Sequence, residues 1–158
     1  MIIFEGLVIG IVATLFFDIF QISLLYAYQI NKSQWNLIGR YFIGLTRGKF
    51  KQLDLNGEPK ENNELIIGYI VHYIIGAIFG LFYLIINKIL FEEPSLILAQ
   101  IIGFITVLGA WCIIMPFALN IGFFASKKEN QMQIIIQNLI AHYIFGIGLF
   151  TGFYILFN

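Results

Sequence analysis

Four long apolar stretches constrain the fold of this sequence more than any other feature. A bilayer core of about 30 Å is crossed by roughly 20 mostly apolar residues in a helix. The Ile, Leu and Phe residues of these stretches run continuously, whereas transmembrane β-strands alternate apolar and polar residues. We therefore predict an all-α, polytopic membrane protein with a four-helix transmembrane bundle, folded as one domain over residues 1–158. The predicted spans cover about residues 2–30, 65–86, 96–117 and 133–157.

The composition fits a membrane protein and excludes several other classes. Hydrophobic residues make up 59% of the sequence and charged residues 11%, whereas soluble domains carry about 25% charged residues. The nine basic and nine acidic residues balance to a net charge of zero, so no nucleic-acid partner is expected. The single cysteine, Cys112, excludes a disulfide scaffold. The expected partner is the lipid bilayer.

Basic residues concentrate in two predicted loops, about residues 31–64 and 118–132. These loops hold eight of the nine lysine and arginine residues, and only Lys88 lies on the opposite side. Short loops rich in lysine and arginine remain in the cytoplasm. The sequence therefore predicts that both basic loops are cytoplasmic and that both termini lie outside.

The first basic loop contains a further helical pattern. Its apolar residues recur at helical spacing at Trp35, Ile38, Phe42 and Leu45. This pattern predicts a short amphipathic helix that lies in the membrane interface. The loop's candidate functional residues are the cations Arg40, Arg47 and Lys49. We favour anchoring beside acidic lipid headgroups over docking of a protein partner.

Each predicted span carries small residues at a spacing of four, which lets helix backbones approach closely in lipid. Pairs of glycines form this pattern in the first, second and fourth spans. The residues are Gly6, Gly10, Gly76, Gly80, Gly148 and Gly152. A compact bundle accounts for these surfaces, and so does packing against a second copy in a homo-oligomer. The sequence leaves both uses open.

Three ionisable residues within the spans are the main candidates for function: Asp18, His72 and His142. Such residues are costly at membrane depth and usually face the bundle interior, where they find partners. The predicted topology places all three in the cytoplasmic half of the bundle, so we expect a polar cluster there. Its other predicted members are Thr14, Tyr73 and Tyr143.

A short motif around the first histidine recurs around the second. His72-Tyr73-x-x-Gly76 is followed 70 positions later by His142-Tyr143-x-x-Gly146. This similarity fits either an internal repeat of two helices, such as occurs in transporters, or chance likeness between helices rich in Gly and Ile.

Three chemistries fit the predicted cluster. The first is a structural hydrogen-bond network. The second is a proton relay or substrate site of a small oligomeric transporter or channel. The third is a haem or metal site at His72 and His142. Nothing else in the sequence indicates a cofactor, so none is predicted. The sequence also lacks the common hydrolase, metalloprotease and nucleotide-binding motifs. An enzyme is therefore the less favoured interpretation. A cofactor-binding membrane enzyme and a structural accessory subunit are the alternatives to the transporter or channel.

Several motifs along the chain resemble those of a known family. They are Thr14-x3-Asp18, Gly39-Arg40-Tyr41, Arg47-Gly48-Lys49-Phe50, Gly68-Tyr69-x-x-His72-Tyr73-x-x-Gly76, Pro94-Ser95-Leu96, Pro116 with Ala125-Ser126, and His142-x3-Gly146-x-Gly148-Leu149. In this order and spacing, the chain resembles over nearly its whole length a family of small bacterial inner-membrane proteins catalogued as Domain of Unknown Function 2938. The resemblance implies a four-helix protein of the bacterial inner membrane and implies no activity. It singles out Asp18, Arg40, His72 and His142 as shared positions.

Overall fold

The computed structural model describes residues 1–30, 33–50, 55 and 57–157 and is helical throughout its regular elements. Lys32 and Lys51, two of the basic loop residues counted above, lie outside the described residues. The helices are α1 (Ile2–Tyr28), α2 (Trp35–Thr46), α3 (Glu64–Leu90), α4 (Leu96–Gly109), which continues as a π-helix (Ala110–Ala118), and α5 (Gln131–Phe157).

Four of these helical segments are long and apolar enough to cross a membrane: Ile2–Tyr28, Glu64–Leu90, Leu96–Ala118 and Gln131–Phe157. They confirm the predicted fold class and match the four predicted spans to within a few residues. The predicted helix of the first basic loop is α2. Its place in the membrane interface stays a prediction.

Polar side chains fix the turn between α3 and α4. Asn87 is fully buried and donates a hydrogen bond to the carbonyl of Glu93 (3.0 Å), while its own carbonyl oxygen accepts one from the Ser95 amide (2.8 Å). The Ser95 hydroxyl then accepts a bond from the amide of Leu98 (3.2 Å), as a serine does at a helix start. This hydrogen-bonding explains why α4 begins directly after Pro94-Ser95.

Pro116, a residue type that ordinarily ends or kinks a helix, lies within the third span. A proline lacks an amide hydrogen and clashes with the carbonyl four residues earlier in an α-helix. Here the helix widens into π geometry from Ala110 and ends two residues after the proline, at Ala118. The wider turn accommodates the proline within the helix.

Close contacts divide the chain into two compact units. The first consists of Met1–Lys32, His72–Thr106 and Leu139–Asn158, and the second of Ser33–Val71 and Val107–Asn138. The prediction of a single domain stays a prediction.

Helices of the first unit approach each other at their glycines. A Cβ atom added to Gly10 would lie 2.2 Å from the carbonyl oxygen of Gly76, and one added to Gly80 would lie 2.2 Å from the Gly10 amide nitrogen. Gly6 meets the backbone of α3 in the same way, while Gly148 and Gly152 meet the backbone of α1. All six glycines singled out in the sequence therefore have neighbours within their own chain.

The second unit contains an equally close contact between α2 and the start of α3. A Cβ atom on Gly39 would lie 1.8 Å from the carbonyl oxygen of Glu64, and one on Gly68 would lie 1.9 Å from that of Trp35. The two glycines of the motifs Gly39-Arg40-Tyr41 and Gly68-Tyr69 thus allow α2 to pack directly on α3.

Candidate functional site

Asp18 is the centre of a polar cluster within the first unit. Its Oδ1 lies 3.3 Å from Nε2 of His72, and its Oδ2 accepts a hydrogen bond from the Tyr73 hydroxyl at 3.0 Å. The side chains of Asp18 and His72 are each 14% exposed. The carboxylate therefore has a partner on both oxygens while the pair stays partly accessible.

Small residues on α1 and α3 bring these side chains together. Gly10 and Gly76 touch through their backbones, and Gly76 lies one helical turn after His72. Thr14 fills the space between Gly10 and Asp18 on α1: it is fully buried, and its hydroxyl donates to the Gly10 carbonyl at 2.8 Å. Because the two backbones are this close, an aspartate side chain is long enough to reach the histidine.

His142 has a separate partner, Thr106. The Thr106 hydroxyl oxygen lies 2.7 Å from Nδ1 of His142 and 2.6 Å from the Gly103 carbonyl oxygen. A hydroxyl has one hydrogen, and the carbonyl can only accept it. When Thr106 donates to Gly103, it accepts from Nδ1 of His142, so Nε2 of this imidazole carries the free lone pair.

A phenylalanine links the two histidines. The ring of Phe17 lies 5.3 Å from the ring of His72, at an interplanar angle of 62°, and 5.3 Å from the ring of His142, at 82°. Both contacts have the edge-to-face geometry favoured by aromatic rings. Phe17 precedes Asp18 in the sequence, so α1 supplies both the carboxylate and the ring that the imidazoles contact.

The structure brings together some of the predicted residues and separates others. Asp18, His72 and Tyr73 are in direct contact, and His142 joins them through Phe17. Thr14 packs against Gly76 beside the cluster. Tyr143 points away, with 57% of its surface exposed, although Tyr73 follows His72 in the same way and bonds Asp18. Sequence reasoning missed Phe17, which no polar or charged pattern indicates.

The donor set of the cluster limits how a cofactor would bind. Among the described residues, no group of three or more His, Cys, Asp or Glu side chains is placed to hold a metal ion. Nε2 of His72 faces Asp18, and Nδ1 of His142 faces Thr106. An iron or metal ion held by both imidazoles would use the other nitrogen of each ring. Haem or metal binding stays the alternative hypothesis.

The cluster is suited to holding a proton. A carboxylate and an imidazole in contact share a proton between two bases, and the imidazole is the one side chain that ordinarily changes charge between pH 5 and 8. The Tyr73 hydroxyl donates to Oδ2 of Asp18, and Oδ1 is the carboxylate oxygen that faces the imidazole of His72. Protonation of the pair changes the charge inside the membrane-spanning helices, and such a change is a strong electrostatic signal there.

The three candidate cations of the first basic loop have different environments. Arg40 is 4% exposed and forms a bidentate pair with Glu64, with Nε to Oε2 at 2.7 Å and Nη2 to Oε1 at 2.9 Å. Its Nη1 donates to the carbonyls of Leu55 and Glu58. The two hydrogen bonds from Arg40 to the Glu64 carboxylate raise the pKa of Arg40 above its ordinary value. Arg40 therefore holds the loop on α3 and is not available to lipid headgroups.

Arg47 and Lys49 lie on the surface of the second unit. Arg47 pairs with Glu61 through two bonds of 2.5 and 3.1 Å, and the hydrogen bond from Arg47 lowers the pKa of Glu61 below its ordinary value. Lys49 is exposed and contributes to the same lowering. These two residues remain the candidates for headgroup contact.

Comparison with known proteins gives a family and no activity. The model of the family described as "Protein of unknown function (DUF2938)" matches residues 7–156, which is nearly the whole chain. Neither the curated proteins nor the solved structures gave a match.

Proposed function

This chain belongs to the DUF2938 family, and from that premise and its intramembrane cluster we propose that it is a proton-linked membrane transporter. The observation that carries the proposal is the contact of 3.3 Å between Asp18 and His72, within helices long enough to span a membrane and with each side chain 14% exposed. Binding of a proton to this pair would bias the bundle between two arrangements and so drive transport.

The partial exposure of the pair favours this function over a purely structural network. Ionisable residues in spans usually face the bundle interior or a water-filled path, and they mark ion and proton routes. A pair that serves only to hold helices together gains most when it is sealed from water, since burial strengthens its hydrogen bonds. A pair that exchanges protons needs a route to water. The partial exposure of both side chains, which are in contact, supports such a route.

The proposal includes location and assembly. The family resemblance supports the bacterial inner membrane. Four helices are few to enclose a solute path, so we propose that the protein acts as a homo-oligomer. The six glycines at a spacing of four have neighbours within their own chain. Copies of the protein would therefore associate through other faces of the spans.

We further propose that both termini lie outside, because the basic loops carry eight of nine cationic residues. A fusion of alkaline phosphatase after residue 157 is therefore expected to be active, and a fusion of green fluorescent protein at the same place is expected to be dark. The matched control is a pair of fusions after Lys128, in the second basic loop, which should give the opposite result. An inactive phosphatase fusion and a fluorescent green fluorescent protein fusion at the C-terminus would contradict this orientation.

Substitution of Asp18 by asparagine tests the proton site. Asparagine keeps the size of the side chain and one acceptor oxygen, but it replaces the other oxygen with an NH₂ donor and cannot take up a proton. Proteoliposomes on a solid-supported membrane should give a transient current when the pH is stepped from about 8 to about 6, the range in which histidine changes charge. We expect the wild type to give this current, and Asp18→Asn and His72→Gln to reduce it to the level of protein-free liposomes.

Glu5 provides the matched control on the same helix. It is also acidic, but its partner is Lys88, with Oε2 to Nζ at 3.8 Å, and not a residue of the cluster. Glu5→Gln should therefore retain the current. Size-exclusion profiles identify any variant that fails to fold. A current that is equal in wild type and a folded Asp18→Asn variant would contradict the proposal, and so would a wild-type protein without any current.

A further inference from the structure

The indole N–H of Trp111, in the second unit, is a buried polar group that the proposed proton site does not use. Trp111 is 8% exposed, and within the part of the chain that the structure describes its Nε1 has no hydrogen-bond acceptor. Nearly all buried donors in native proteins have a partner, because desolvation of an unpaired donor costs free energy. An unpaired donor of this kind would be satisfied by a hydrogen-bond acceptor on a bound molecule.

The surroundings of the indole are apolar and indicate which kind of molecule fits. Val107, Met115 and Ala125 are buried against it, and the ring of Phe124 lies 5.3 Å from the indole ring. The partly exposed residues Cys112 and Ile134 border this cluster. An anion placed here would lose its hydration for a single hydrogen bond, which is unfavourable. A neutral, membrane-soluble molecule with one acceptor loses much less.

The backbone around the indole is irregular in the way often found at binding sites. Trp111 lies within the π-helix, and such segments frequently mark functional sites. Phe124 and Ala125, which contact the indole cluster, both have left-handed φ angles, of 52° and 56°. Non-glycine residues in this region carry strain that is often retained for function.

We propose that Trp111 donates its indole hydrogen to the carbonyl oxygen of a membrane-soluble molecule bound in this apolar cluster. Carbonyl oxygens in a bilayer come from the ester groups of lipids and from free compounds such as quinones. Both supply a neutral acceptor on an apolar body, which is the chemistry that the cluster accommodates. The proposal is independent of proton transport, since all its residues belong to the second unit.

Indole NMR of the whole protein tests the proposal. The chain has two tryptophans, so indole labelling with nitrogen-15 gives two signals, which Trp35→Phe assigns. Spectra are recorded in nanodiscs of ether-linked phospholipid, which lacks carbonyls, with and without decylubiquinone, and in nanodiscs of the ester-linked analogue. We expect the Trp111 indole proton to shift downfield when either carbonyl source is present, and the Trp35 signal to stay in place.

The arms of the experiment separate the two sources and the opposing outcomes. A shift in ester lipid identifies a lipid ester as a ligand, and a shift with decylubiquinone in ether lipid identifies a free carbonyl compound. A Trp111 signal that is already downfield in ether lipid alone would overturn the proposal, because water would then be the acceptor. An identical position under all conditions would overturn it as well.

Binding of decylubiquinone in ether-lipid nanodiscs gives a second measurement. If the indole hydrogen bond contributes an ordinary net free energy, its removal by Trp111→Phe should weaken binding about fivefold. Trp35→Phe is the matched control and should leave affinity unchanged. Equal affinities of the wild type and a folded Trp111→Phe variant would contradict the role of the indole.

Discussion

Arg40→Met is expected to lower the free energy of unfolding by about 3–5 kcal/mol, the usual cost of removing one partner from a buried ion pair. Its side chain is 5% exposed and that of Glu64 is 10% exposed. Removal of the guanidinium leaves the Glu64 carboxylate buried without its counter-charge, and it also leaves the carbonyls of Leu55 and Glu58 without their donor. Methionine retains much of the side-chain volume, so the loss reports the interactions of the charged group.

The single cysteine offers a probe for this measurement. Cys112 lies in the same unit as Arg40 and is partly buried, so its reaction with a thiol-reactive dye on heating follows unfolding.

Arg40→Lys should be little more stable than Arg40→Met, because an ammonium group cannot reproduce the fork of bonds to both carboxylate oxygens. The double variant Arg40→Met with Glu64→Leu should be more stable than Arg40→Met alone, since it removes the unpaired charge.

Arg47 is the matched control, because it also pairs with a glutamate of the same loop. Its side chain is 54% exposed, and exposed pairs are screened by water and salt. Arg47→Met should therefore leave unfolding almost unchanged. Equal destabilisation by Arg40→Met and Arg47→Met would contradict the assignment of Arg40 as the residue that holds the loop.

The fate of Arg40 illustrates what the sequence could not predict. By composition it belongs to a basic loop, and positions off the apolar stripe of α2 are expected to face water or headgroups. The structure instead buries it, because Gly39 and Gly68 allow α2 to approach α3 until the guanidinium reaches Glu64. A pair separated by 24 positions depends on that contact and leaves no periodic signal in the sequence. The four spans were predictable because each depends only on its own composition.

The polar cluster was predictable in part. The sequence identified Asp18 and His72 because ionisable residues in a span must find partners. It did not identify Phe17 as the contact between the histidines, because a phenylalanine in a span is ordinarily apolar packing. It did not predict that His142 pairs with Thr106 either, since a threonine in a helix commonly bonds its own backbone. Thr106 contacts both its backbone and the imidazole.

The recurring His-Tyr-x-x-Gly motif has the same structural use at both positions. His72 contacts Asp18 on α1, and Gly76, four residues later, touches the backbone of α1. His142 contacts Thr106 on α4, and Gly146, four residues later, meets the backbone of α4 at Ala99. In each case a glycine sets the distance at which the imidazole meets a polar side chain of another helix. This parallel use favours the internal repeat over chance likeness.

The glycine contacts between α1 and α3 lead to the second large effect. Gly10→Ala should lower the free energy of unfolding by about 3 kcal/mol, at the upper end of the usual cost of overpacking. The added methyl group would lie 2.2 Å from the Gly76 carbonyl oxygen and 2.5 Å from Cα of Ala77. Both are backbone atoms, so no side chain can rotate away, and the helices must separate. Gly80→Ala meets the Gly10 backbone and should act similarly.

Gly109 is the matched control for this prediction. It also lies in a membrane-spanning helix, but a Cβ atom there has nothing within 4 Å. Gly109→Ala should be neutral or stabilise the protein by up to about 1 kcal/mol, because alanine favours a helix over glycine. Equilibrium unfolding in mixed detergent micelles with increasing dodecyl sulfate measures all three variants. Equal stabilities of Gly10→Ala and Gly109→Ala would contradict the close contact.

Separation of α1 from α3 should also disturb the proposed proton site. Asp18 reaches His72 because Gly10 and Gly76 touch, so a wider spacing lengthens the contact of 3.3 Å between carboxylate and imidazole. We therefore expect Gly10→Ala, in the fraction that remains folded, to reduce the current evoked by a pH step although neither ionisable residue is changed. Gly109→Ala should retain the current. A full current in Gly10→Ala would indicate that proton binding does not depend on the contact between Asp18 and His72.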